Sequence, residues 1–402
     1  MSDVRSATSL ALTIASAVSL SAACNGSPGS SPIAGPAQNV QPITVDAGPA
    51  NNYTNGLFTS VTICVPGSAA NCQTIGGVLV DTGSSGLRIL SSVVTLPLPR
   101  QTGSSGNPTV ECFPFQDSYT WGPVQLADIK IAGEQANAVP VQVIGASGLP
   151  AVPDACNSSG LMAEDTLDTL GANGILGIGP FRQDCGIGCA IGGSSNPGIY
   201  YTCSSASCAP AVESLSQQLQ NPVWLFTSDN NGVIVELPSV SPMGATNLAG
   251  SLVFGIGTES NNALGGATVF TLDSQASFTT IYQGQAYGGS FIDTGSNGIY
   301  FLDSGTTQLP LCTDDSSFYC PSAAQGLSAT NRGTNGVTGN VTFTIANADA
   351  IFANPIFFVS SGLGGPNPGT FDWGLPFVFG RHLFTAIESQ TTPAGPGPYF
   401  AY

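Results

Sequence analysis

Short apolar alternations, each closed by glycine, proline or a small polar residue, mark most of the chain from Leu57 onward. LFTSVTICV at 57–65 alternates as a half-buried strand does, and comparable strand candidates follow to about residue 180. A glycine- and cysteine-rich stretch covers 182–210. AVESLSQQLQN at 211–221 is the best helix candidate, with Val212, Leu215 and Leu219 roughly on one face. The strand-and-turn pattern resumes at VWLFTSDNNGVIVEL (223–237) and runs to about residue 388. TTPAGPGPYFAY at 391–402 reads as a loose tail or an edge strand. NGSPGSSPIAGPAQNVQP at 25–42 is rich in Gly, Ser and Pro and reads as a flexible tether.

Within this pattern one turn occurs twice. VLVDTGSSGLRIL (78–90) and SFIDTGSNGIYFL (290–302) align without gaps and share Asp, Thr, Gly, Ser, a second Gly and a closing Leu. The two Asp residues, Asp81 and Asp293, are 212 positions apart, so each half of the chain carries one copy. A single Asp-Ser/Thr-Gly is a common turn; Asp303-Ser304-Gly305 also fits but is followed by polar TTQ. Both repeats instead run apolar strand, Asp, tight turn, apolar strand. Each half also holds a later apolar-apolar-Gly triplet: Ile175-Leu176-Gly177 and Val378-Phe379-Gly380. A pair of pseudo-symmetric lobes is the expected result.

Length agrees, since 402 residues exceed one ordinary core. With Gly 51 and Pro 29, short strands and frequent turns are favoured over helices. Charge narrows the partners. Lys130 and six Arg face 24 carboxylic acids, a net charge of -17, which leaves nothing to neutralise a phosphate backbone and argues against nucleic acid. The acidic, Lys-poor balance suits a secreted protein whose self-repulsion fades toward pH 4.

At the N-terminus, Arg5 precedes an apolar run from Ser9 to Leu20, too short to span a bilayer, and SAAC ends at Cys24. Residues 1–23 read as a signal peptide. The small residues before Cys24 resemble the bacterial lipoprotein cleavage box, which makes Cys24 the expected lipid attachment site; ordinary cleavage after Ala23 is the alternative. Of 11 Cys, removing Cys24 leaves ten, enough for five bridges. Cys64 with Cys72, Cys203 with Cys208 and Cys312 with Cys320 are plausible local pairs. A metal reading of Cys185-x3-Cys189 and Cys203-x4-Cys208 is weaker in an exported chain. His382, the only His, sits in FGRHLF, where a structural role is favoured over a Ser-His or Cys-His site. FGIGTESNNALGG opens no helix and lacks Lys, so nucleotide binding is not expected.

Two carboxyls from separate halves, if the fold brings them together as the resemblance given next implies, would carry a definite chemistry. Peptide hydrolysis without metal or covalent intermediate needs one carboxylate to take a proton from water and one carboxylic acid to polarise the carbonyl. Two Asp held about 3 Å apart cannot both ionise and share a proton as a coupled pair. Gly83 and Gly295 would let backbone N–H groups approach each carboxylate.

These residues resemble a pepsin-type aspartic peptidase, a bilobal β fold in which each lobe donates one Asp. GILGIG matches that family's first-lobe segment, YTWGPVQLADIKIAG (119–133) its flap strand and the strand after it, and GSLVFGIG (250–257) its second-lobe opening strands. The resemblance spans roughly residues 55–390. GIYYTCSSASC, NPVWLFTSDNNG, FGIGTESNNAL and GLPFVFGR further resemble an exported bacterial family of unknown function with pepsin- or retropepsin-like repeats. The resemblance implies that Thr82 and Thr294 bond across the pair to the opposite loop and that Ser84 and Ser296 brace the outer oxygens.

The chain departs from that family in three places. The flap Tyr falls nearer Phe115 than Tyr119; Arg88 stands where an apolar aromatic is usual; and no Lys or Arg lies between Arg5 and Arg88, so no basic pro-segment is expected. The expectation is an all-β, bilobal pepsin-like acid-protease fold with a few short helices. It comprises a tether at 24–45, an N-terminal lobe at 46–222, a C-terminal lobe at 223–390 and a tail at 391–402. The expected activity is aspartic endopeptidase, without cofactor or metal, on a peptide or protein substrate. The alternative is an inactive surface lipoprotein that binds peptides or partners between the lobes. A cell-envelope lipoprotein or secreted monomer is expected, with membrane contact only through the lipid.

Overall fold

The strands that end at Asp81 and at Asp293 are built the same way. Cys72–Asp81 pairs in parallel with Gly174–Ile178, which runs antiparallel to Ser85–Leu90, the strand leaving the turn. In the second half Gln285–Asp293 pairs in parallel with Asn367–Gly374, which runs antiparallel to Ile299–Leu302. In each half a distant strand inserts between the two arms of the Asp turn. The register sets Gly177 opposite Asp81 and Gly374 opposite Asp293. A Cβ at Gly177 would lie 2.7 Å from Ser84 Oγ, and one at Gly374 would lie 2.0 Å from the Gly298 carbonyl oxygen. Each crossing therefore requires glycine.

This register corrects the second triplet. Gly374, not Gly380, is the counterpart of Gly177, and Val378-Phe379-Gly380 lies past it in a turn, with Gly380 at φ 76° beside Ser239. The true counterpart reads Asp372-Trp373-Gly374, whose Asp breaks the apolar-apolar-Gly pattern.

The computed structural model describes residues 34–402 except 36, 104, 105, 158 and 159; the expected signal segment 1–23 and Cys24 lie outside the described residues. The architecture is all-β and bilobal, with four short α-helices among the described residues. One long sheet runs through the first lobe and continues, by pairing of Val40–Asp46 with Leu248–Phe254, into strands Gly232–Glu236, His382–Ala386, Tyr399–Ala401 and Val269–Thr271. A seven-stranded sheet completes the second lobe.

Two boundaries move. Residues 40–45, expected inside the tether, form a strand joining the lobes, because Ile43 and Val45 alternate inward and are buried. The tail is not loose, nor at an edge. Tyr399–Ala401 lies between Val269–Thr271 and His382–Ala386, with all three residues buried.

The segment 211–221 is not a helix. The backbone N–H groups of Ala211 and Glu213 donate outward to Tyr200 and Cys189, leaving only a turn at 214–218. Of its apolar stripe Leu219 is buried while Val212 and Leu215 are exposed. Asp303, whose Asp-Ser-Gly also fits the turn pattern, caps the helix Ser304–Thr307 by accepting from the Thr306 N–H at 2.8 Å.

All ten described Cys pair: 64–72, 112–156, 185–189, 203–208 and 312–320, which suits an oxidising compartment and makes the 185–189 and 203–208 pairs bridges rather than metal ligands. No helix among the described residues is long and apolar enough to cross a membrane. His382 Nδ1 lies 3.2 Å from Glu236 Oε1 across paired strands, a structural position.

Arg88 is fully buried and ties the first Asp loop to its surroundings. Its guanidinium lies 2.7 Å from Glu111 and 3.2 Å from Asp184, donates to the Ser85 carbonyl, and stacks over Phe113 at 3.7 Å. Burial, then the charge of Glu111, pushes Asp184 well above the carboxylate range. Glu111 is the nearer carboxyl partner of Arg88. Arg88→Leu leaves Glu111 buried without a counter-charge and is expected to cost about 3 kcal/mol. The urea midpoint measures this, and adding Glu111→Gln should recover part of the loss.

Candidate active site

Each Asp is held first by its own turn. The Gly83 N–H donates to Asp81 Oδ1 at 2.7 Å and Ser84 Oγ donates to Asp81 Oδ2; the Gly295 N–H donates to Asp293 Oδ1 at 2.7 Å and Ser296 Oγ to Asp293 Oδ2 at 2.9 Å. Asp is suited to this because its short carboxylate reaches the N–H two residues on.

The turns then lock together. The Thr82 N–H donates to Thr294 Oγ1 at 3.1 Å and the Thr294 N–H to Thr82 Oγ1 at 3.0 Å. Thr82 Oγ1 in turn donates to the Ile292 carbonyl at 3.1 Å, and Thr294 Oγ1 to the Val80 carbonyl at 2.7 Å. Both Thr are buried. The glycines permit the approach: a Cβ at Gly83 would lie 2.6 Å from Asp293 Cγ, and one at Gly295 would lie 2.9 Å from Asp81 Oδ1. Asp81 and Asp293 thus meet within side-chain hydrogen-bond reach. Burial, then the charge of Asp81, then that of Asp372, pushes Asp293 well above the usual carboxylate range. The site is recessed but open, with Asp81 buried, Gly83 exposed and Asp293 and Gly295 half-buried.

Residues 35–402 match the model of a family described as a protein of unknown function, DUF3443. The chain belongs to this family. No curated protein matches it. Among solved structures this DUF3443 chain is similar to the aspartic proteinase from Irpex lacteus, at 15% identity over 90% of this chain and 96% of that one, with a TM-score of 0.49.

The flap candidates separate. The hairpin of Thr109–Pro114 and Ser118–Ile131 turns at residues 115–117, where the Phe115 N–H donates to the Ser118 carbonyl. Phe115 stands at the tip, half-buried against Phe113 and a cluster with Tyr53, Leu79 and Ile175. Tyr119 is buried in a different cluster, with Trp121 and Tyr201. The hairpin is also tied on both edges, to Tyr200–Cys203 and Met162–Ala163, and Cys112–Cys156 links it to the following loop.

Sequence reasoning missed four residues of this DUF3443 site. Asn55 is buried at φ 58°, in the left-handed region that Asn tolerates. Its Nδ2 donates to the Asn297 and Ser360 carbonyls and its Oδ1 accepts from the Ser360 N–H, so the first lobe holds the loop after Ser296. Tyr53 is pushed up by burial, with Glu164, Asp293 and Asp81 contributing, and Tyr300 is pushed up by burial and then Asp372. Asp372 Oδ2 lies 2.7 Å from Ser296 Oγ, and burial pushes its carboxyl up to about 8. Its signal lay only in strand register. A cavity of about 790 Å³ lined by Asp46, Phe58, Gly77, Asn173 and Phe358 includes neither Asp81 nor Asp293. Nor do Cys312, Cys320 and Asp349, which lie together, offer a metal site, because the two Cys are bridged.

Proposed function

We propose that the chain is an aspartic endopeptidase. One observation carries this reading: two Asp-Thr-Gly-Ser turns from separate halves lock through reciprocal Thr bonds with their carboxyls in mutual hydrogen-bond reach. Such a pair has one useful protonation state, with one proton between two carboxyls. In it the ionised Asp takes a proton from a water as the water oxygen bonds to the scissile carbonyl carbon. The neutral Asp gives its proton to the carbonyl oxygen. Collapse of the resulting diol breaks the C–N bond: the newly protonated Asp gives its proton to the leaving nitrogen, the other takes one from a diol hydroxyl, and the dyad returns to one proton. Ser84 and Ser296 hold the carboxyls, and Thr82 and Thr294 hold the two turns against each other. Peptide or unfolded protein is the substrate, cleaved by a single chain because both Asp belong to it. The bridges and the N-terminal apolar run support an exported protein, lipid-attached at Cys24.

A tied flap with Phe115 at its tip favours a second reading, in which the groove binds peptides without turning them over. Incubating the purified protein with an unfolded protein substrate between pH 3 and 7, with and without pepstatin, separates the two. Pepstatin-sensitive cleavage supports the peptidase; pepstatin binding without cleavage at any pH supports the binding protein.

A further inference from the structure

Ser296 Oγ stands between two carboxyls, 2.9 Å from Asp293 Oδ2 and 2.7 Å from Asp372 Oδ2. A hydroxyl carries one proton and donates to one of them only. The other close oxygen pair needs a proton from a carboxyl. Asp372 is the better holder. It is 7% exposed and its Oδ1 has no partner. As a carboxylate it would bury Oδ1 with no hydrogen bond in return and compete with Asp293 for the one Ser296 proton; as an acid donating to Ser296 it would not compete.

Strand alternation sets this position. Phe371 and Trp373 stack inward at 5.3 Å, so Asp372 faces the opposite side, beside Phe291 and Tyr300. The first lobe has Ile175 at the matching register, and Ser84 there braces Asp81 alone.

We propose that Asp372 is a positioning residue for the pair, a third carboxyl that holds a proton against Ser296 and keeps the Asp81–Asp293 proton in place toward neutral pH. The kinetic part rests on the peptidase reading. The ionisable groups around Asp372 are Asp293 on the adjacent strand, Asp81 from the first lobe and Tyr300 directly opposite; no ion pair of the described residues includes it. Three acids around one point release their last protons later than two, because each ionisation raises the others. The direction agrees, since Asp372 is among the charges that push Asp293 up. A Ser296 donation by itself favours the ionised Asp293; it is the charge of Asp372, as it ionises, that opposes loss of the dyad proton.

The test compares wild type with Asp372→Asn, which keeps a donor, and Asp372→Ile, which copies the first lobe. It reads kcat/KM against pH and the carboxyl titration of Asp293 by NMR in protein labelled at Asp. Both variants should lose rate chiefly on the alkaline side of the profile. Their alkaline limb, and the upper inflection of Asp293, should move down by about one pH unit. An unmoved limb together with an unmoved Asp293 inflection in a folded variant overturns the proposal. Should the wild type cleave nothing, the peptidase reading fails and the NMR arm alone decides: a lowered Asp293 inflection sustains the third-carboxyl role, an unchanged one ends it.

Discussion

Asp293→Asn is expected to cleave unfolded polypeptide about 10²- to 10⁴-fold more slowly than wild type, the usual range for losing a general acid–base group. The amide fills the same volume, and its oxygen can still accept from the Gly295 N–H at Oδ1. Ser296 can reverse, accepting from the amide and donating to Asp372. The fold therefore survives while the proton-sharing pair does not. Asp81→Asn should lose a similar factor, and the double variant little more, since two groups acting as a unit are lost once. Matched unfolding curves and initial rates on one substrate check this. A folded Asp293→Asn protein retaining more than about a tenth of the wild-type rate excludes the pair as the catalyst.

Folding stability should be greatest in acid and fall as the pH rises from about 4 to 8. Every carboxyl whose pKa is resolved away from its ordinary value is raised by burial first: Glu134, Glu164, Asp184, Glu213, Asp293 and Asp372. For a group raised in the fold, the folded state binds more protons than the unfolded one above the unfolded pKa. Stability is then fully present below that pKa and declines as pH climbs through the folded value. The window runs from the ordinary carboxyl range to about 7 for Glu164 and about 8 for Asp372. Asp372 alone represents a loss on the order of 5 kcal/mol across it. The net charge of -17 adds self-repulsion in the same direction. Urea midpoints at pH 4, 6 and 8 should fall in order, and Asp372→Asn should flatten the trend. A midpoint that holds or rises contradicts the assignment of these burials.

Much of the site could be read from the chain because a turn is a local object. Asp, Thr, Gly and Ser at fixed offsets specify the hydrogen bonds of Asp81 and Asp293 whatever surrounds them. The β class could be read for the same reason, from alternation and turn residues. What failed depended on pairing. Val40–Asp46 lies within a tether-like composition, yet its partners are strands from both halves. The spacing of Val212, Leu215 and Leu219 fits a helix, but flanking Pro210 and Pro222 and outward hydrogen bonds leave a turn. Val378-Phe379-Gly380 fitted a pattern that register assigns to Trp373-Gly374. Asp372 carried no motif, since only the strand beside it makes it a neighbour of Ser296.

The central claim is that Asp81 and Asp293 share one proton, and the carboxyl titration of the two residues by NMR tests it most directly. They should titrate together in two separated steps, with the upper step well above the ordinary Asp range, and Asp293→Asn should reduce the pair to a single step at Asp81. Two independent single steps near the ordinary Asp value, each unaffected by removing the other group, would contradict it.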